Sequence, residues 1–116
     1  MSQRLELRRL AHARSGDKGD TANVGVIAFT PEAYVFLKRE LTAERVAAHF
    51  EGMIAGPVVR YELDNVEALN FLLHGALGGG GTVSLMTDAQ GKVYSTALLR
   101  LTLDVPDEVS RSLAGR

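Results

Sequence analysis

Residues that could bind a ligand or transfer a proton are concentrated in residues 14–23, which we call the polar segment. Its candidate ligand-binding residues are Arg14, Ser15, Gly16, Lys18, Gly19 and Asn23, and its candidate acids or bases are Asp17 and Asp20. Glycines expose backbone N–H groups and allow close approach of a ligand, and the two cations supply positive charge. The segment therefore predicts a site for an anionic group, in which an aspartate could act as general acid or base.

Other interpretations of the polar segment are a metal site, a nucleotide-binding loop and a purely structural role. Asp17, Asp20 and Asn23 carry oxygen ligands of the kind that Mg²⁺ or Ca²⁺ prefers, but the acid spacing of an EF-hand is absent. The glycine spacing matches neither the P-loop nor the dinucleotide-binding pattern. We therefore predict neither a metal ion nor a cofactor. A purely structural role, in which the Ser, Asp and Asn side chains cap turns, stays open.

A second unusual feature is a run of four glycines. The run comprises Gly78, Gly79, Gly80 and Gly81. So many glycines carry an entropy cost that other polar residues would avoid in a plain connector. Close approach of the polar segment, a ligand or a partner subunit to the run is therefore one interpretation, and a flexible connector between a helix and a hairpin is the other. His74 precedes the run and is a candidate catalytic helper, and His12 and His74 could converge in space; a structural role is the alternative for either histidine.

Composition excludes several classes of protein. The chain has 116 residues, which is enough for one domain with a core. Its net charge of -1 does not indicate a basic surface of the kind that binds nucleic acid. It has no cysteine, so disulfides, thiolate nucleophiles and Cys-ligated zinc are excluded. Charges at the N-terminus and the lack of a long apolar run argue against a secretion signal and a membrane span. We expect a cytoplasmic protein.

The elements that must position these residues follow from hydrophobic periodicity and capping signals. We predict strands at residues 5–14, 24–29 and 57–63, with the polar segment as the loop between the first two. The apolar run 24–29 reads as a central strand covered on both faces. In the third strand, Val59, Tyr61 and Leu63 share one face, and Arg60 and Glu62 lie on the other, wet face.

Helices are predicted from their caps. Thr30 with Pro31 opens one helix, and Thr42 opens a second. Asp64 followed by Glu67 matches a capping box and predicts a buried helix over residues 66–73.

A hairpin follows the glycine run, with its turn at residues 88–91 and a long alternating return strand over 93–105. The order of elements predicts an α+β fold, with a mixed or antiparallel sheet, helices packed on one face and a C-terminal β-hairpin. A ferredoxin-like split βαβ arrangement fits this order. We place one domain at residues 1–106, followed by a polar C-terminal tail at 107–116 that could form a short helix.

Four parts of the chain resemble one family. Residues 13–25 (ARSGDKGDTANVG) are similar to the opening motif of the C-terminal domain of the AtuA-like family of acyclic terpene utilisation. Residues 41–46, 73–81 and 88–92 are similar to other parts of that domain. Asp20 stands where many relatives carry Asn. The resemblance covers nearly the whole chain and implies a ferredoxin-like fold.

The resemblance also implies a function and a partner. It implies an accessory or small subunit in the catabolism of acyclic terpenes or branched acyl-CoA compounds, with an acyl-CoA or carboxylate ligand and a reaction that is unassigned. The partner would be a separately encoded large AtuA-like subunit. The alternative is a stand-alone small enzyme, of the lyase or hydratase type, acting on a CoA thioester. We expect a homo-oligomer, with a dimer as the guess, because the long final strand could lie at a sheet edge.

Overall fold

The computed structural model describes residues 1–76 and 94–114. Its strands are β1 (Ser2–Glu6), β2 (Ala11–Lys18), β3 (Thr21–Ala28), β4 (Val58–Leu63), β5 (Ala68–Leu73) and β6 (Thr102–Pro106). Its helices are α1 (Pro31–Glu40), α2 (Ala43–His49), α3 (residues 94–98) and α4 (Asp107–Ser112). Single 3₁₀ turns lie at Leu7–Arg9 and Asp64–Val66. The predicted glycine run and the turn at 88–91 fall outside the described residues.

The main sheet has four antiparallel strands in the order β2-β3-β5-β4. Because β5 is antiparallel to both β3 and β4, those two strands are parallel to each other, with β5 between them. The connection from β3 to β4 runs through α1 and α2, so the unit is a split βαβ. The α+β, ferredoxin-like prediction is confirmed.

The core lies between one face of the main sheet and the helices. Val24, Val26 and Phe71 on the sheet pack in one buried cluster with Phe36 and Leu37 of α1. The separate two-stranded sheet β1-β6 adds Leu103 and Val105 to that cluster. The other face of the main sheet, which we call the open face, is not covered by α1 or α2. The prediction that residues 24–29 are covered on both faces was therefore wrong.

Two of the three predicted helix starts, at Thr30 and Thr42, are confirmed by their caps. The Thr30 hydroxyl accepts a hydrogen bond from the Ala33 N–H at 3.0 Å, and Pro31 occupies the first turn. The Thr42 hydroxyl accepts from the Arg45 N–H at 3.1 Å. These local signals agree with the tertiary structure because a cap satisfies N–H groups that have no partner within the helix.

The helix predicted over residues 66–73 is instead strand β5. Phe71 is fully buried and pairs with Val24 on one side and Arg60 on the other, so β5 is a central strand. A short run that is apolar all round fits a buried helix and a central strand equally well. The apparent capping box forms a 3₁₀ turn that ends at Glu67, whose φ of 53° is left-handed and reverses the chain.

Two other predicted strands differ in extent. The first, residues 5–14, is interrupted by the 3₁₀ turn Leu7–Arg9, because Leu7 and Leu10 both point into the core there. The return strand predicted over 93–105 is helical at residues 94–98, and only β6 remains extended. The C-terminal hairpin is therefore not formed by these residues, and β6 pairs with the N-terminal β1 instead. The tail forms α4, as the short-helix option predicted.

Strand β4 has the opposite orientation to its prediction. Tyr61 and Leu63 are 50% and 46% exposed on the open face. Arg60 points the other way, and its guanidinium donates to the carbonyls of Lys38 and Leu41 at 2.8 and 3.0 Å. This edge strand thus uses an arginine to satisfy the carbonyls at the end of α1, which have no partner within the helix.

A small polar network fixes α1 to the β4–β5 turn. The Asp64 carboxylate accepts hydrogen bonds from the Tyr34 hydroxyl at 2.5 Å and from the Lys38 ammonium at 3.1 Å. These bonds, with that of Tyr34 first, lower the pKa of Asp64. Burial, followed by the same carboxylate, raises the pKa of Tyr34 to about 12.

We expect Asp64→Asn to lower stability at neutral pH and to flatten its dependence on acid. Because the folded-state pKa of Asp64 is lowered, its contribution is fully present above the unfolded pKa of about 4 and is lost as the pH falls through the folded value. Urea unfolding at several pH values should show the wild-type advantage shrinking below about pH 4. The control Asp104→Asn removes an exposed ion pair with Arg4 and should change stability little. An advantage that persists unchanged in acid would contradict this role.

Candidate functional site

The polar segment is a β-hairpin and not a loop. Lys18 pairs with Thr21, so Gly19 and Asp20 alone form the turn between β2 and β3. Gly19 has a φ of +64°, as the first turn position of a type II′ hairpin requires. The polar side chains and glycines of the segment are typical of a loop and predicted one. Pairing with β3 instead keeps the segment extended.

Hairpin register separates the candidate residues by face. Arg14 lies opposite Gly25, and Gly16 lies opposite Asn23, and these pairs are on the open face. Ser15 pairs with the buried Val24. Asp17 and Lys18 pair through their backbones with Ala22 and Thr21 near the turn.

A cleft of about 340 Å³ lies on the open face. Its lining residues are Arg14, Ser15, Gly16, Asn23, Gly25, Ile27, Leu63, Val66, Ala68, Leu69 and Asn70. Four of the predicted ligand-binding residues therefore line the cleft: Arg14, Gly16 and Asn23 on the open face, and Ser15, whose strand position faces the core. The cleft is small, at the low end of the volumes of ligand sites.

The polar side of the cleft is one row across the sheet. Arg14, Gly25, Asn70 and Tyr61 are in register on the four strands. The Asn23 side-chain amide donates to the Asn70 side-chain oxygen at 3.1 Å. Among the described side chains, Arg14 has neither an ion-pair nor a hydrogen-bond partner. Among the described side chains, this side of the cleft therefore presents a cation without a partner and, with Asn23 from the next row, an ordered pair of amides.

The apolar side of the cleft lies one row further along the strands. Ile27, Ala68 and Leu63 are in register there, and Val66 extends from the neighbouring turn. Val66 is 60% exposed. Rows on one face are separated by two residues, about 7 Å. A ligand lying along the strands would thus place a polar head on one row and a short apolar tail on the next.

Two glycines, Gly16 and Gly25, lie at the floor of the cleft, and the fold does not require glycine at either position. A Cβ placed on Gly25 would have no neighbour closer than 4.0 Å, and one on Gly16 would meet only the Asn23 side-chain oxygen at 3.4 Å. Neither glycine has a positive φ. Glycine inside a strand weakens it, and in such positions it often marks close approach by a ligand.

One family model matches most of the chain. The AtuA ferredoxin-like domain matches the chain over residues 5–104. The chain belongs to this family. Searches of curated proteins and of solved structures find no match. The AtuA ferredoxin-like match includes the hairpin of the polar segment, strands β4 and β5, and therefore every residue that lines the cleft.

Of the remaining candidate residues of this AtuA ferredoxin-like domain, those that the structure describes lie beside the cleft or apart from it. His74 contacts the Thr21 hydroxyl through Nδ1 at 3.4 Å, beyond the hairpin end of the cleft. The Asp20 carbonyl accepts from the Ala76 N–H at 2.9 Å, which joins the hairpin turn to the residues just before the glycine run. Gly78, Gly79, Gly80 and Gly81 lie outside the described residues, so their approach to the site stays a prediction.

The two histidines do not converge. His12 packs edge-on against Phe29, with ring centroids 4.5 Å apart, at the opposite end of β3 from Thr21. The positions of the two histidines therefore differ by about 20 Å along β3. No three acidic or histidine side chains of the described residues lie close enough together to hold a metal ion. None of the helices in that part of the chain is long and apolar enough to cross a membrane.

Sequence reasoning missed several residues of the cleft in this AtuA ferredoxin-like domain. Asn70 and Gly25 lie within apolar runs, and Leu63 and Val66 were assigned to buried faces. The sequence does contain a signal for Asn70 and Gly25. Asn70 is the only polar residue in β5, and Gly25 interrupts the apolar part of β3. A lone polar residue and a lone glycine on adjacent strands are what a site on the sheet surface would leave in the sequence.

Proposed function

We propose that this domain is the small subunit of an AtuA-like system that acts on acyclic terpene acids or branched acyl-CoA compounds. In this role it binds the acyl part of the substrate in the cleft of the open face and presents it to a separately encoded large subunit. The observation that carries the proposal is the amphipathic cleft, where Arg14, without a partner among the described side chains, and the Asn23–Asn70 amide pair face an apolar row.

The size of the cleft supports binding of an acyl group rather than of a whole CoA thioester. Ligand sites range from about 300 to 1,000 Å³, and this cleft has about 340 Å³. A nucleotide-bearing CoA would extend well beyond it. The rest of such a substrate would have to lie on another protein surface.

The lining of the cleft supports a binding role over turnover by this chain alone. The described residues that line it include no carboxylate and no imidazole. The predicted acid or base Asp20 and the helper His74 lie towards the hairpin end, outside the lining. General acid–base catalysis needs such a group within hydrogen-bond reach of the reacting atom. A partner that supplies it would complete a site that this chain half forms.

The open side of the cleft supports a partner as well. A ligand lying on the sheet would keep one side in water, whereas small-molecule sites usually bury most of the ligand surface. Leu63 and Val66, both well exposed, stand at the edge where a covering surface would contact this chain. The argument for a homodimer is weaker than the sequence suggested, since the long final strand is reduced to β6.

The proposal predicts a defined binding footprint. We expect 3-methylbutanoate, added to the ¹⁵N-labelled chain, to shift the amide NMR signals of Gly16, Gly25 and Asn70, and to leave that of the remote Gly52 unchanged. A weak affinity, with a Kd on the order of 1 mM, is expected for a half-open site. The same ligand series should include 3-methylbutanoyl-CoA, with thiol release followed in parallel.

Two outcomes would overturn the proposal. One is the absence of any footprint at the cleft with either the acid or its thioester. The other is hydrolysis of 3-methylbutanoyl-CoA by the purified chain, seen as thiol release, which would favour the stand-alone enzyme. Addition of a candidate large subunit should tighten the footprint, because it covers the exposed side of the ligand.

A further inference from the structure

We infer that the polar head of the ligand sits in the gap above Gly25 and is a free carboxylate, not a thioester. The inference rests on the proposed function, since it concerns the same cleft. It assigns the head group to particular atoms: the Arg14 guanidinium on one side and the Asn70 side-chain amide nitrogen on the other. The ligand class is a small organic acid in its ionised form.

The gap is created by the register of three strands. Arg14 and Asn70 are both opposite Gly25, one on each side of it, so their Cα atoms are separated by two strand spacings, about 10 Å. Glycine puts no side chain between them. The nearest atoms to a Cβ built on Gly25 are the Arg14 carbonyl oxygen and the Asn70 Oδ1, both at 4.0 Å. The space is thus bordered by Arg14 and the Asn70 amide, with an open floor.

The hydrogen bond within the amide pair determines which group of Asn70 is available. Asn70 Oδ1 accepts from Asn23 Nδ2 at 3.1 Å. The Asn70 amide nitrogen has no partner among the described residues and keeps two N–H donors for a ligand. The subsite therefore offers donors from both of its sides. Its ligand must be an acceptor.

Charge selects a carboxylate among acceptors. Arg14 has no counter-ion among the described side chains, and the lining of the cleft contains no acid that could serve as one. A guanidinium binds a carboxylate through charge-assisted, often paired hydrogen bonds, which are stronger than those to a neutral carbonyl. A thioester presents only a neutral carbonyl and would leave the cation uncompensated. The adjoining apolar row of Ile27 and Leu63 favours an organic acid over inorganic phosphate.

The test compares isosteric ligands on matched variants. Calorimetry or NMR titration would measure the Kd of 3-methylbutanoate, of the neutral 3-methylbutanamide, and of inorganic phosphate. We expect the wild-type chain to bind the carboxylate at least about tenfold more tightly than the amide, as a hydrogen bond to a charged group allows. Its affinity should fall as NaCl is raised, because an exposed ion pair is screened.

Variants of the subsite test which residues cause the preference for the carboxylate. Arg14→Gln should raise the Kd of the carboxylate about tenfold or more and leave that of the amide almost unchanged, and Arg14→Lys should restore part of the loss. Asn70→Asp, nearly the same shape, places a second carboxylate in the gap and should repel the ligand anion. Arg100→Gln removes an exposed cation away from the cleft and serves as the control.

The outcomes separate this inference from the proposed function. Equal affinity for acid and amide, or a carboxylate Kd that is unaffected by Arg14→Gln, would overturn the carboxylate subsite while binding in the cleft still stands. Tighter binding of phosphate than of the acid would overturn it as well. If neither a member of this series nor 3-methylbutanoyl-CoA binds at the cleft, the proposed function itself fails. Unfolding curves of each variant would confirm that the fold is retained.

Discussion

Replacing Gly25 by valine should abolish ligand binding while leaving the domain as stable as the wild type or more so. The Cβ has no atom closer than 4.0 Å, so the fold can accept it. The two methyl groups would then occupy the space between Arg14 and Asn70 that we assign to the ligand head. Valine also suits a strand better than glycine does, and we expect a gain of up to about 1 kcal/mol in the free energy of unfolding.

The measurement pairs a binding titration with urea unfolding. Gly25→Ala is the graded control, because its single methyl group fills only part of the gap. It should weaken 3-methylbutanoate binding less than Gly25→Val, for which we expect a rise in Kd of more than about tenfold. Unchanged binding by the folded valine variant would place the ligand elsewhere. A large loss of stability would instead show that Gly25 is required by the fold.

Truncating Phe71 to alanine should cost about 3–5 kcal/mol of unfolding free energy, as is usual for a buried aromatic residue. Phe71 is fully buried in the central strand β5 and packs in the cluster with Val24. A domain of this size has a total stability of about 5–15 kcal/mol. The variant should therefore be marginally folded at room temperature, with a clearly lower urea midpoint.

Leu72→Ala is the matched control because it is the next residue along the same strand. Leu72 is only half-buried on the open face, in register with Asn23. Its truncation should cost much less than that of Phe71. Because alternate residues of a strand face opposite sides, the contrast reports the strand directly. Similar large losses at both positions would favour the buried helix that the sequence pattern suggested.

The sequence predicted correctly those features that depend on interactions between residues close together in the chain. Thr30 and Thr42 cap the helices that their sequence predicts, since a cap bonds N–H groups only a few residues away. Gly19 provides the positive φ of a tight turn. The polar segment was predicted to hold site residues because such residues are unsuited to a core, and their role in binding stays a prediction.

The sequence did not determine which surfaces are buried. Residues 68–73 are apolar enough for a helix or a strand, and only pairing with β3 and β4 makes them a strand. The polar segment reads as a loop by composition, but the same sheet holds it extended. Leu63 alternates as a buried residue should, yet its face of the sheet has no helix over it.

The sequence by itself determined the α+β class, the helix starts at Thr30 and Thr42, and the family, because each depends on patterns within short stretches of chain. The tertiary structure decided that Arg14, Gly25 and Asn70 form one row, because they come from three strands whose register depends on long-range pairing. Asn70 is separated from Arg14 by 56 positions, and only the order of strands in the sheet brings it beside Gly25. The cleft is a product of that register.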